Sequence, residues 1–289
     1  MLTVRRTAAL AGLGALGLVA RAVAQSSDAE VAAIPVPLPR LPGALNGLTI
    51  QVVSDLHVRS PRTPSLNALR RLAGTRPDFL FACGDLSDRV DAAPFVAEAL
   101  AAIEPVHGAY AVWGNHDLFV SHDATDPSWI GNRTQPLGFI RQVFQAQGVT
   151  VLNNAHVRHR IGDAELAIVG VGDATHRGDD AARAFEGVDQ DAFTLVLTHN
   201  PDAVPRLGQA RVDFVVCGHT HGGQIVPPLM SAPMTSTRSP LPRPSGLMHV
   251  GGRLVFITRG VGTVGIPMRV NAPAEVPRLT LVRVAEAAR

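Results

Sequence analysis

The residues able to do chemistry fall in five short clusters, and each follows an apolar run. Residues 48–53 end in Ser54-Asp55-Leu56-His57, and residues 79–82 end in Cys83-Gly84-Asp85-Leu86-Ser87-Asp88. Residues 109–113 end in Gly114-Asn115-His116-Asp117, and residues 193–198 end in His199-Asn200-Pro201-Asp202. Residues 214–216 end in Cys217-Gly218-His219-Thr220-His221-Gly222-Gly223-Gln224. Carboxylates, imidazoles and an amide oxygen are the side chains that bind divalent cations. Each cluster by itself also reads as a capped turn, because Gly, Asn and Asp favour turns. Their repetition at the ends of apolar runs is what asks for a common site.

The runs read as strands, and the segments between them as helices at residues 64–73, 93–102, 138–147 and 202–207. Further strands are expected at 157–161, 165–171, 254–258 and 279–284. Strands alternating with helices indicate an α/β fold. Such folds place ligands in the crevice beyond the carboxyl ends of their strands. Clusters at successive strand ends should therefore converge on one crevice. Gly84, Gly114 and Gly218 let the chain turn sharply, so that the next side chain can face it. Residues 226–246, dense in Pro, Ser, Thr and Met, read as a long surface loop.

Composition removes other chemistries. The 289 residues carry 26 basic side chains, all Arg, with no Lys. Schiff-base, pyridoxal phosphate and P-loop chemistry all need a Lys. The two Cys cannot build a four-Cys zinc site, and 4% aromatic residues give no platform for stacking bases. Cys83 and Cys217 read as buried free thiols beneath the crevice, with a disulfide, which an exported location would permit, as the alternative.

Residues 1–24 read as an export signal rather than as part of the fold. Arg5-Arg6 precede an Ala/Leu/Gly-rich apolar run and Ala22-Val23-Ala24, an A-x-A cleavage pattern. The Arg pair points to the twin-arginine route and an extracytoplasmic, periplasmic location. An uncleaved N-terminal membrane anchor is the alternative. Without Arg5, Arg6 and Arg21 the formal charge falls from +2 to −1, so no nucleic-acid partner is expected. Residues 25–46 read as a linker or surface strap, and residues 47–285 as one catalytic domain, expected to be a monomer.

The order Asp55-x-His57, Gly84-Asp85-x-x-Asp88, Gly114-Asn115-His116-Asp117, His199 and Gly218-His219-x-His221 resembles the calcineurin-like metallophosphoesterases. Thr198-His199-Asn200-Pro201-Asp202 and Gly-His-Thr-His-Gly-Gly-Gln are similar to the YaeI- and YkuE-like branch of exported phosphodiesterases. The resemblance implies a four-layer αββα sandwich with mixed sheets and two divalent ions of Mn, Fe, Zn, Co or Ni. It implies one ion on Asp55, His57 and His221 and a second on Asn115, His199 and His219, with Asp85 bridging. It implies a phosphoester hydrolase in which a metal-bridging hydroxide attacks in line and His116 stands near the leaving group.

Asp117 has two readings, as the residue that holds the His116 ring and as a helix cap. Asp88 reads more readily as a turn cap than as a ligand support. His122, Arg259 and Arg269 are weaker candidates for contacting the substrate phosphate. The expected substrate is a phosphodiester or phosphomonoester, of lipid or cell-envelope origin among other sources. One alternative is a pyrophosphatase of a lipid-linked or nucleotide-sugar diphosphate such as UDP-2,3-diacylglucosamine. Another is an envelope-binding module without turnover.

Overall fold

The computed structural model describes residues 28–118, 136–227 and 235–285. Residues 1–24, read as the export signal, and His122 lie outside them. Among the described residues, twelve strands form two six-stranded mixed sheets. The first contains β1 (Ala33–Leu38), β2 (Thr49–Val53), β3 (Phe79–Cys83), β4 (Gly108–Val112) and β5 (Val149–Val151). The second contains β6 (Ala155–Ile161), β7 (Ala164–Val171), β8 (Phe193–Thr198), β9 (Phe214–Cys217), β10 (Gly246–Val250) and β11 (Arg253–Ile257). β12 (Arg278–Arg283) returns to the first sheet, giving the orders β1-β12-β2-β3-β4-β5 and β10-β11-β9-β8-β7-β6.

The centre of each sheet is parallel. β2, β3, β4 and β5 run together, with Ile50 opposite Phe79 and Phe79 opposite Gly108. β7, β8, β9 and β11 do the same, with Leu166 opposite Phe193 and Leu195 opposite Phe214. Antiparallel pairs occur nearer the edges, at β12 with β2, β10 with β11 and β6 with β7. Parallel neighbours bring their carboxyl ends to one edge, which is how clusters distant in sequence come together.

Side-chain alternation divides the core into three slabs. In β3, Phe79 and Phe81 face Leu195, Leu197 and Phe214 of the other sheet. Leu80 and Ala82 face the helices instead, packing with Leu69 of α1 (Pro64–Arg70) and Leu100 of α2 (Ala93–Ala101). A four-residue α3 (Asn115–Leu118) and then α4 (Leu137–Ala146) follow, and Phe144 of α4 packs edge-on against Trp113 at 5.8 Å. Beneath the second sheet, Val196 and Val215 pack on Ala184 of α5 (Ala181–Ala184) and on Val204. The order is helix, sheet, sheet, helix, so the fold is the four-layer α/β sandwich expected.

Some elements differ from the sequence reading. Within the expected strap, residues 25–46, Ala33–Leu38 is the edge strand β1, parallel to β12. Val36 and Leu38 alternate into the inter-sheet slab, while Pro35 and Pro37 are tolerated because an edge strand needs fewer N–H donors. The helix expected at 202–207 is the 3-10 helix Pro201–Leu207, which contains Pro205. Proline has no N–H to continue an α-helix and its ring clashes with the preceding turn. The short elements β5 and α5 carry too few residues to show a period. The described part of 226–246 is irregular, as expected.

Phe81 is fully buried between the sheets. Phe81→Ala should destabilise the chain by about 3–5 kcal/mol, read from urea unfolding.

Candidate metal centre

All five clusters lie beyond the carboxyl ends of β2, β3, β4, β8 and β9. The loops after β2 and β3 are stitched by Asp55 N–H to the Gly84 carbonyl and His57 N–H to the Asp85 carbonyl, each 3.0 Å. The two sheets are tied across the crevice by the His219 N–H, which donates to the Asp55 carboxylate at 3.1 and 3.2 Å. Asp55 (φ 53°), His57 (48°), Asp85 (51°), His219 (71°) and His221 (50°) all adopt the left-handed backbone conformation. Non-glycine residues seldom do so, at a cost of about 1–3 kcal/mol each where the surroundings hold them.

Three groups of donor atoms result among the described residues. Asp55, His57 and His221 form the first, Asp85, His199 and His219 the second, and His57, Asp85 and His116 a third that shares a residue with each, with donor atoms within 4.8 Å of one another in each group. In the first, the His57 and His221 Nε2 atoms are 3.2 Å apart, and His221 Nε2 is 3.4 Å from Asp55 Oδ1. In the second, His199 Nε2 is 3.1 Å from His219 Nδ1. Asp85 Oδ2 faces both, 3.6 Å from His57 Nε2 and 3.2 Å from His199 Nε2. Asn115 Oδ1 is buried without a hydrogen-bond partner. A buried amide oxygen without a partner is costly, and imidazole nitrogens and carboxylate oxygens converge on one shared space. Divalent cations would satisfy both, so these residues fit the metal ions that the sequence leads one to expect.

The electrostatics of the metal-free chain follow from burial and close charges. Burial works against ionised Asp85, but the charge and hydrogen bond of His199, with His116 and His57, hold its pKa well below the usual carboxylate range. Burial also opposes charge on His199, yet Asp85, Asp55 and Asp173 outweigh it and lift its pKa to about 10. Burial and then the neighbouring His199 push His219 down to about 4. His199, with His57 and His116 beside it, thus balances the central carboxylate in the space where cations would bind.

The supporting contacts are specific. His57 Nδ1 lies 2.8 Å from Asp88 Oδ1, and His199 Nδ1 lies 2.8 Å from the Cys83 carbonyl. These contacts turn each Nε2 toward the centre. Asp88 is therefore more than the turn cap it most resembles in sequence. It is fully buried, and its Oδ2 also accepts from Arg59 Nε at 2.7 Å. The spacing of Arg59, two residues after His57, was a signal of this pairing that motif reading passed over.

Asp117 is placed differently from the ring-holding expectation. Its carboxylate accepts the N–H groups of Leu86, Ser87 and Gly114 at 2.9, 3.0 and 2.9 Å. Burial, and then Asp85, raise its pKa to about 7. It ties the loop after β4 to the loop after β3, because three converging backbone donors outcompete a side-chain partner. The carboxylate nearer the His116 ring is Asp88, whose Oδ1 is 3.8 Å from Nδ1. His116 packs edge-on to His57 at 4.8 Å and keeps 26% of its side chain exposed, against 2% for His57 and 0% for His199.

The two arginines expected at the substrate are occupied by the protein. Arg269 is fully buried and donates to the carbonyls of His221, Arg259, Gly262 and Ala272. Arg259 pairs with Glu30 at 2.9 Å and Glu275 at 2.8 Å. Both brace the loop after β11, and burial rather than sequence decides this. Cys83 and Cys217 are buried free thiols.

Glycine is required where loops touch. A Cβ on Gly114 would collide with Asp85 Oδ1 and lie 2.5 Å from the Asp85 amide nitrogen. Gly114→Ala should displace the Asp85 carboxylate and lower bound metal at least about tenfold, measured by elemental analysis after dialysis, since disturbed supporting contacts cost 10–100-fold in affinity.

The sequence pattern of the Metallophos family, calcineurin-like phosphoesterase, matches residues 48–223. The chain is 31% identical over 270 residues to the transmembrane protein with metallophosphoesterase domain of Bos taurus, covering 87% of this chain and 56% of that one. The protein of the same name from Danio rerio is 28% identical over 270 residues, with 87% and 57% covered. Phosphodiesterase YaeI of Escherichia coli (strain K12) is 30% identical over 240 residues, with 81% and 82% covered. The chain thus spans little more than half the length of the first two relatives. Every residue of the donor clusters lies within the matched 48–223 segment, and on that agreement of sequence and geometry the chain belongs to the calcineurin-like phosphoesterase family.

Proposed function

We propose that this protein is a dinuclear metal-dependent phosphodiesterase that works outside the cytoplasm. The observation that carries the reading is Asp85, whose Oδ2 faces His57 on one side and His199 on the other. One carboxylate oxygen between two donor clusters suits two cations rather than one. Asp55, His57 and His221 would hold the first ion, and Asn115, His199 and His219 the second, with Asp85 shared. When bound, such a pair neutralises phosphate oxygens and lowers the pKa of water so that it attacks at neutral pH.

The chain's own residues supply position and proton transfer. Asp88 and the Cys83 carbonyl fix the ring orientations of His57 and His199. His116, partly exposed at the crevice, stands where it can give a proton to the departing alcohol. In the overall reaction the oxygen of water bonds to phosphorus, the ester P–O bond breaks, and the alcohol leaves with a proton. The similarity to the protein named phosphodiesterase YaeI supports diesters over monoesters. The extracytoplasmic location rests on Arg5-Arg6 and the apolar run after them. Among the described residues no helix is long and apolar enough to cross a membrane.

With Mn²⁺ supplied, the chain should hydrolyse bis-p-nitrophenyl phosphate with a higher kcat/KM than p-nitrophenyl phosphate. Preference for the monoester would overturn the diesterase reading. Silence on both esters with metal bound would overturn catalysis itself. Asp85→Ala should lose both metal and activity. His116→Ala should keep its metal and lose about 10²–10⁴-fold in kcat on an ester with a poor leaving group. Full retention of that rate would remove His116 from proton transfer.

A further inference from the structure

His219 meets the centre through a different nitrogen from its neighbours. His57 and His199 turn Nε2 toward Asp85, at 3.6 and 3.2 Å, and His221 turns Nε2 toward Asp55 at 3.4 Å. In His219 the nitrogens exchange places. Its Nδ1 lies 3.1 Å from His199 Nε2, and its Nε2 lies 3.3 Å from the Ser236 carbonyl. A carbonyl only accepts, so this contact puts the proton on Nε2. Burial and then His199 push the His219 pKa down to about 4, so the ring is neutral at neutral pH. Its lone pair is then on Nδ1, on the side of His199.

Ser236 lies in an irregular segment, and Asp202 is what places it. The Asp202 carboxylate accepts the Arg238 N–H at 2.8 Å and the Ser239 N–H at 2.7 Å. Burial opposes charge on Asp202, but these two N–H groups outweigh it and hold its pKa below the usual carboxylate range. Asp202 is buried three residues after His199, and its own N–H donates to Asn200 Oδ1 at 2.9 Å. The end of β8 therefore fixes where the carboxylate stands. A second tie comes from the Thr220 hydroxyl, which donates to the Pro244 carbonyl at 2.6 Å. Ser236 itself is left-handed, with φ 55°, a conformation that a serine keeps only where its surroundings hold it. Asp202 belongs to none of the three donor groups.

We propose that Asp202 is a positioning residue for the second ion: by pinning residues 238 and 239 it sets the Ser236 carbonyl, which holds His219 with Nδ1 toward the ion. The proposal rests on the dinuclear reading above. The cluster after β8 then serves one ion twice. His199 offers a donor directly, and Asp202 acts through a segment 36 residues further along the chain. Contacts that orient a metal ligand in this way are worth about 10–100-fold in metal affinity. A carboxylate that merely braced the segment would have no effect passing through the His219 ring. A double-mutant cycle separates the two roles.

The test measures Mn²⁺ binding to the full chain by calorimetry. Asp202→Ala should raise the Kd of one ion by about 10–100-fold and leave the other within twofold. In a His219→Ala background the same substitution should change Mn²⁺ affinity by no more than twofold, because its effect passes through that ring. Ser236→Val should act like Asp202→Ala, since a β-branched residue resists φ 55°, and Ser236→Gly should bind as the wild type does. Imidazole ¹⁵N NMR of the chelator-treated chain at neutral pH should find the His219 proton on Nε2. Four results each overturn the proposal: unchanged affinity in a folded Asp202→Ala, equal weakening of both ions, an undiminished effect in His219→Ala, or a wild-type proton on Nδ1. Should Asp202→Ala fail to fold, the variants of exposed Ser236 and the wild-type proton position still decide. Uptake of a single Mn²⁺ by the wild type overturns the dinuclear reading instead, and the cycle with His219→Ala on that ion then decides for Asp202 by itself.

Discussion

The centre depends on one buried carboxylate held between two sheets. Asp85 Oδ1 accepts the N–H of His116 at 2.8 Å, which leaves Oδ2 for His57 and His199. An ionised carboxylate away from water needs close positive charge or strong donors. In the metal-free chain His199 provides that charge, because Asp85, Asp55 and Asp173 outweigh its burial and raise its pKa to about 10. A cation would meet the same demand in the same place. The site is thus built around anionic charge that the protein alone balances with its histidines, His199 first among them.

Holding that arrangement takes backbone in conformations that most residues avoid. Five of the proposed ligands are left-handed, and each lies directly beyond a buried parallel strand. The strands cannot shift to relieve them, because Phe79, Phe81, Leu195 and Phe214 interlock the sheets behind the site. Close approach adds to the constraint. A Cβ on Gly218 would lie 2.5 Å from Asp55 Oδ2, so the two sheets meet at a point where no side chain fits. The packed core supplies the rigidity that the strained loops need.

The residues around the centre share their partners economically. Asp88 serves His57 and Arg59 together. Arg269 reaches carbonyls on both sides of the loop after β11, including that of His221. Gln224, last residue of the motif that carries His219 and His221, clamps the same loop from outside. The ligand-bearing segment and the loop after β11 are therefore parts of one hydrogen-bonded unit.

Much of this was legible in the sequence. Polar clusters after apolar runs placed Asp55, Asp85, Asn115, His199 and His219 at strand ends, because a buried strand leaves its polar residues nowhere else to go. The order of the motifs resembled the family, that resemblance implied the layered sandwich, and alternating strands and helices indicated an α/β fold. The sequence did not separate residues that reach the crevice from residues that brace it. Arg269 and Asp117 carry the right chemistry for substrate or proton, yet one is sealed among carbonyls and the other caps three backbone donors. Asp88 looked like a turn residue and is the support of His57. Composition and spacing determine which groups are available at an edge. Only the docking of two sheets, which sets burial and backbone donors around each group, decides which of them face the reaction.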